Sequence, residues 1–215
     1  MAARVHGTPG TLGAVPTDPS PFDPVPLDEV AGWLRDARSI VILTGAGIST
    51  ESGIPDFRGP DGIWTKNPDA EKASDIRYYR ADPELRRRNW HARATNGMWD
   101  VDPNAGHHAL VELERLAAVS LVVTQNVDGL HARAGTDPDR LVEIHGTTHA
   151  VKCLRCTFRG PMEETLDRVR AGEADPACPE CGHILKSATV SFGESLDEAD
   201  LERSFVAAES ADVFL

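Results

Sequence analysis

Ser39-Ile40-Val41-Ile42-Leu43-Thr44 runs without a break into Gly45-Ala46-Gly47-Ile48-Ser49, and the reading of this junction decides the fold class. A near-continuous apolar run is the pattern of a parallel strand covered on both faces. Upstream, Leu27, Val30, Ala31 and Leu34 fall on one face at helical spacing, so a helix leads into this strand. Downstream, Ser120-Leu121-Val122-Val123-Thr124 repeats the pattern and ends in Gln125-Asn126-Val127-Asp128-Gly129. Leu141-Val142-Glu143-Ile144 is a third candidate strand, ending at His145-Gly146. Between them, from about 81 to 118, the spacing is helical, with Asn104 a candidate N-cap and Leu110, Leu113 and Ala117 on one face. Ser195 and Glu198 form a capping box for a last helix carrying Leu201, Phe205 and Ala208. Ala211 to Leu215 then opens another buried strand. Strand, polar loop and helix in alternation specify an α/β fold, whose ligands sit outside the carboxyl ends of the strands. The polar loops fall at those ends.

Of the 215 residues, 40% are hydrophobic and 26% charged, the balance of a globular chain, and no apolar stretch approaches the ~20 residues that span a bilayer. With 34 Asp and Glu against 22 Lys and Arg the net charge is −12, a field that disfavours nucleic acid as a partner. Residues 1–26 carry six prolines and few large apolar side chains, and are expected to form a flexible tail. They contain neither a secretory nor a transit pattern, so a cytoplasmic location is expected.

All four cysteines form two pairs, Cys153-x2-Cys156 and Cys178-x2-Cys181, separated by 21 residues. Two thiolate hairpins close one tetrahedral site, and four sulfurs leave no position for water, so one structural Zn2+ is expected. A redox dithiol needs only one pair, and the acidic composition weighs against a zinc ribbon that binds nucleic acid.

Gly45-Ala46-Gly47 directly after a buried strand lets backbone amides approach a phosphate. The full Gly-x-Gly-x-x-Gly pattern fails because Thr50 takes the last place. Ser52-Gly53-Ile54-Pro55-Asp56-Phe57-Arg58-Gly59 places an acid, an aromatic and a base in one Gly- and Pro-bounded loop, a composition suited to a lid over a ligand. Asn126 and Asp128 can bond ribose hydroxyls or an amide at the same sheet edge. His145, with its backbone opened for a ligand by Gly146, is the candidate general base. His107, His108, His131, His149 and His183 read as helix-end or surface residues.

Taken in order, Gly45 to Ser49, Ser52 to Gly59, Thr124 to His131, His145-Gly146, the two Cys pairs and Phe192-Gly193-Glu194 resemble the sirtuins, the NAD-dependent protein lysine deacylases, over about residues 30–215. The resemblance implies a Rossmann-like NAD-binding domain over 27–150 and 185–215 and a zinc-binding module over 151–184, with NAD and an acyl-lysine strand between them. It implies that Gly45, Ala46, Gly47, Ser49, Asp56, Phe57, Arg58, Gln125, Asn126 and Asp128 hold NAD, and that His145, Asn126 and Asp128 carry the chemistry. By the family's mechanism the acyl oxygen displaces nicotinamide at C1′ of the ribose and His145 then accepts a proton from a ribose hydroxyl. The products are nicotinamide, free lysine and O-acyl-ADP-ribose. Phe192, Gly193 and Glu194 would pair by backbone with the acyl-lysine protein substrate as an added strand.

The chain departs from that pattern in two places. Where members selective for acidic acyl groups carry Tyr-x-x-Arg, Trp90 and Arg93 stand here, which implies a preference for uncharged acyl groups. Family members also continue beyond a strand like 212–215 into loops that hold adenosine, so the C-terminal part of the sheet is expected to be missing. Mono-ADP-ribosyl transfer and a non-catalytic NAD or ADP-ribose binding module are the alternative functions.

Overall fold

The computed structural model describes residues 25–66, 69–95 and 101–215; nearly all of the expected tail, 1–24, lies outside them. The elements in chain order are α1 (Leu27–Asp36), β1 (Ile40–Thr44), α2 (Ile63–Lys66), α3 (Asp69–Ala73), α4 (Ile76–Ala81), α5 (Pro83–Thr95), α6 (Ala105–Leu116), β2 (Val119–Thr124), α7 (Leu130–Ala134), β3 (Leu141–Glu143), β4 (Gly146–Cys153), β5 (Arg159–Pro161), α8 (Met162–Arg170), β6 (Leu185–Thr189), α9 (Glu198–Glu209) and β7 (Val213–Phe214). Among the described residues no helix is long and apolar enough to cross a membrane.

The first sheet is parallel, in the order β3-β2-β1-β7. Its alternation sends Ile40, Ile42, Val119 and Val122 to one face, against Leu34 and Ala37 at α1 and Leu110, Leu113 and Ala117 at α6. Val41, Leu121, Val123 and Val142 point to the other face, against Ala207 of α9 and Ala211. Burying each of these branched side chains contributes about 1.5–3 kcal/mol, which is why both apolar runs settle as central strands. Chain order proceeds from β1 outward to β2 and β3, then returns to the opposite side of β1 as β7. The strand order therefore reverses at the carboxyl end of β1, the position at which open α/β sheets bind ligands. Asp212 secures the return by accepting from the amides of Arg38 at 2.8 Å and Ser39 at 3.2 Å.

The second sheet is antiparallel, in the order β5-β4-β6. Its core joins Val151, Cys153, Met162, Leu166, Cys178 and Leu185 to Trp90 of α5. Arg86, also on α5, grips the module through Asp175 at 2.9 Å and holds the carbonyls of Tyr79 and Arg80. The smaller unit thus takes in strands on both sides of 151–184 and a helix from far upstream.

Two local expectations are revised, and a third holds. The last helix is capped by Asp197, which accepts from Ala199 and Asp200, so the Ser195/Glu198 box does not form and the helix begins later. The third strand stops at Glu143, which leaves His145 in the tight turn into β4. Among its described residues the span 81–118 holds α5 and α6, the second helix capped as expected by Asn104 with its oxygen on the amides of Gly106 and His107.

Candidate active site

Three loops meet at the carboxyl edge of the parallel sheet. After β1 the chain turns through Gly45 into a 3-10 turn, Ala46–Ser52, whose first internal bond runs from the amide of Ile48 to the carbonyl of Gly45 at 3.2 Å. The amides of Ala46 and Gly47 precede that bond, so they are the turn's outward donors. Nothing lies within 4 Å of where a Cβ on Gly47 would sit. An open glycine beside outward amides at a strand end is the cradle a pyrophosphate requires, so these residues fit the NAD implied by the sequence.

Bonds between the loops fix the cradle to the second strand. Asn126 Nδ2 donates to the carbonyl of Gly45 and to Ser49 Oγ, each at 3.1 Å. Ser49 Oγ donates to Asp128 Oδ2 at 2.8 Å, and Asp128 Oδ1 accepts the amide of Leu130 at 2.9 Å. Gln125 continues the ladder by donating its amide to the carbonyl of Thr44 at 3.0 Å. The structure therefore unites Gly45, Ser49, Gln125, Asn126 and Asp128 in one bonded constellation.

His145 joins it through its Nδ1, 2.9 Å from the carbonyl of Gln125. A carbonyl only accepts, so Nδ1 carries a proton, and in the neutral ring Nε2 is then the nitrogen with the lone pair. That is the tautomer a general base needs. The next residue, Gly146, has φ +73°, and a Cβ there would lie 2.1 Å from the carbonyl oxygen of Ala188. The opening that the sequence reading reserved for a ligand is thus filled by Ala188 of β6, and Val190, just past that strand, donates its amide to the carbonyl of His145 at 2.7 Å. Glycine here serves to clamp the turn that carries His145.

Two histidines read from the sequence as helix-end or surface residues are buried beneath this floor: His107 is fully covered and His131 is 2% exposed. Thr44 Oγ1 donates to Thr124 Oγ1, so it accepts from His131 Nε2, both at 2.8 Å. The rings of His107 and His131 lie edge to face with centroids 5.0 Å apart, and His107 Nε2 and His131 Nδ1 have no partner among the described residues. Burial, reinforced by His107 and opposed by Asp128, pushes His131 down to about 4. The unfolded chain binds a proton near its ordinary value of about 6.5 and the folded chain does not, so stability is fully present above pH ~6.5 and falls as pH drops toward 4. Urea unfolding at pH 7.5 and pH 4.5 is expected to show a loss approaching about 3 kcal/mol from this group, reduced in His131→Gln.

The third loop carries Asp56, Phe57 and Arg58. Asp56 accepts the amide of Gly59 at 2.9 Å, and the amides of Ile63 and Trp64 bond the carbonyls of Asp56 and Phe57 at 2.8 and 3.0 Å. Phe57 stacks on Trp64 at 4.7 Å, Arg58 lies over the same indole at 4.6 Å, and Trp64 meets Phe192 at 5.6 Å. Trp64 thus links the Asp56–Arg58 loop to the expected substrate segment. Its signal in the sequence is an aromatic just past the Gly-bounded loop.

The residues assigned to the substrate are placed differently from one another. Phe192 donates its amide to the carbonyl of Ser74 and accepts from Ile76, at 2.9 and 3.0 Å, so its backbone is already paired within the chain. Trp90 is 1% exposed inside the core of the smaller unit. Arg93 donates to Ser187 Oγ at 3.2 Å.

The four cysteine sulfurs lie within 4.8 Å of one another, with Cys153 to Cys181 at 3.5 Å and Cys156 to Cys178 at 3.6 Å. Tetrahedral Zn–S bonds of about 2.3 Å place sulfurs about 3.8 Å apart, so the set fits one zinc ion. Against burial, the amides of Cys156 and Arg155 bring the Cys153 thiol down to about 7, favouring the thiolate that binds metal.

Comparison with known proteins agrees with this geometry. A Sir2 family profile matches residues 45–215. NAD-dependent protein deacetylase 2 of Streptomyces coelicolor is 47% identical over 176 residues, covering 82% of this chain and 73% of that protein. An NAD-dependent protein deacylase of Pyrococcus abyssi is 42% identical over 188 residues, covering 87% and 74%. Among solved structures, a Sir2 complex with deacetylated p53 peptide and 3′-O-acetyl ADP ribose superposes with TM-score 0.79 at 33% identity, covering 88% of this chain and 75% of that one. A Sir2–p53 peptide–NAD+ complex gives 0.76 at 32% identity, covering 88% and 74%. With a match running from the glycine turn through both cysteine pairs to β7, the chain belongs to the Sir2 family.

Proposed function

We propose that this protein is an NAD-dependent protein lysine deacylase. The observation that carries the reading is the orientation of His145, whose Nδ1 proton is held by the carbonyl of Gln125, so that in the neutral ring Nε2 is the acceptor. NAD, when bound, supplies a ribose carbon from which nicotinamide leaves and to which the acyl oxygen bonds. The amides of Ala46 and Gly47 bind the pyrophosphate. Ser49 and Asn126 hold each other and Asp128 in place, so the ribose meets groups that need no rearrangement. His145 Nε2 takes the hydroxyl proton, and Phe57 shields the reacting ribose from water. The four cysteines hold a structural zinc ion with no part in the chemistry.

The finer assignments follow from burial and charge. Uncharged acyl groups are the preferred substrates, because the indole of Trp90 is packed in the module core and Arg93 is engaged by Ser187. A carboxylate oxygen buried without a partner costs about 1–3 kcal/mol, roughly ten- to a hundredfold in relative rate. Assaying acyl-lysine peptides with NAD is expected to give a higher kcat/KM for acetyl-lysine than for succinyl-lysine; the reverse order would refute the pocket assignment. The partner is an acylated protein, with neither nucleic acid nor membrane engaged, and the compartment is the reducing cytoplasm, supported by cysteines that all stand at metal-ligand spacing.

A further inference from the structure

Lys152 and Lys186 are directly paired across β4 and β6. Like charges at opposed positions destabilise a sheet, and Lys186 is only 4% exposed. One carboxylate resolves the conflict. Glu194 reaches Lys186 Nζ with Oε2 at 2.9 Å and Lys152 Nζ with Oε1 at 3.0 Å, and its Oε2 also accepts the amide of Ser191 at 2.9 Å. Burial draws the Lys186 ammonium down to about 8, and Glu194 opposes that pull. Lys186 donates further to the carbonyl of Thr189 at 2.6 Å, and Thr189 Oγ1 meets Ser187 Oγ at 2.9 Å.

Glu194 does not belong to either strand. It closes the turn Ser191–Glu194, whose amide-to-carbonyl bond is 2.9 Å, and that turn carries Phe192 against Trp64 and against the backbone of Ser74 and Ile76. The turn is therefore tied to the cofactor loop on one side and to two lysines of the zinc-bearing sheet on the other. We infer that Lys186 and Lys152 are positioning residues: they form a two-cation socket for the Glu194 carboxylate that sets the height of the Ser191–Glu194 turn, in which the Phe192 backbone is taken by Ser74 and Ile76 and that of Gly193 is left to receive the acyl-lysine peptide. This rests on the deacylase reading, whereas the socket itself acts on peptide affinity.

A fluorescent acetyl-lysine peptide is titrated into wild type, Lys186→Met, Lys186→Arg and Lys152→Gln, and KM for peptide and for NAD and kcat are measured beside zinc content. Displacing a recognition element by an ångström costs up to about 10²-fold, so Lys186→Met is expected to raise peptide Kd and KM about tenfold or more. kcat at saturating peptide and KM for NAD should stay within about threefold, and Lys186→Arg, which keeps the charge, should restore the affinity. Unchanged peptide affinity in a folded, zinc-loaded Lys186→Met would overturn the socket, as would equal losses in kcat and in KM for NAD. If Lys186→Met does not fold, Lys152→Gln decides: its side chain is 30% exposed, and an unchanged peptide Kd there rejects the proposal. A wild type that binds the peptide without deacylating it refutes the deacylase reading and leaves the socket to be judged by affinity. A wild type that binds no peptide refutes both.

Discussion

Replacing His145 with alanine is expected to lower the rate of deacylation by about 10²- to 10⁴-fold, the range lost with a positioned general base. The fold should survive, because the turn is held by backbone: Val190 bonds the His145 carbonyl and Gly146 packs on Ala188, both independent of the imidazole. A second substitution separates base from scaffold. His145→Asn can keep a donor to the Gln125 carbonyl but offers no basic nitrogen, so it should melt like wild type and remain as impaired as the alanine variant. Turnover near the wild-type rate in either protein would remove His145 from the mechanism.

Removing zinc is expected to abolish activity although the metal does no chemistry. The smaller sheet has a modest core, and a four-thiolate site returns an apparent binding energy of about 10–16 kcal/mol, a quantity as large as the whole stability of a typical domain. Cys153 ends β4, the strand whose first residue, Gly146, adjoins His145. Unfolding this sheet therefore releases the His145 turn and the Lys186–Glu194 contact together. Strong chelation or Cys178→Ser should give a protein without zinc, with lost near-UV signal and no deacylation, while the β1–β2 core retains helix and strand signal. One zinc per chain should be found in the untreated protein. A zinc-free protein with full activity would contradict the assignment.

Elements built from contiguous burial were legible in the sequence. β1 and β2 are apolar on both faces because helices cover both, and that condition writes itself as an unbroken run. The cysteine spacing likewise encodes a local geometry. What stayed hidden depends on partners distant in sequence. His131 reads as a helix-end residue until β1 brings Thr44 against it. Gly146 reads as room for a ligand until β6 delivers Ala188. Trp90 lies at the spacing of an acyl-pocket residue, yet α8 and β4 draw it into the module core. Lys186 and Lys152 look like surface charges in isolation, and only the strand register sets them opposite one another with Glu194 between.

The most direct test is a product balance by mass spectrometry. The purified protein is incubated with NAD and an acetyl-lysine peptide, and nicotinamide, free-lysine peptide and O-acetyl-ADP-ribose are quantified together. The account predicts equal amounts of all three and none without NAD. Nicotinamide released with the peptide still acetylated, ADP-ribose attached to protein, or free acetate formed with no acetyl-ADP-ribose would contradict it.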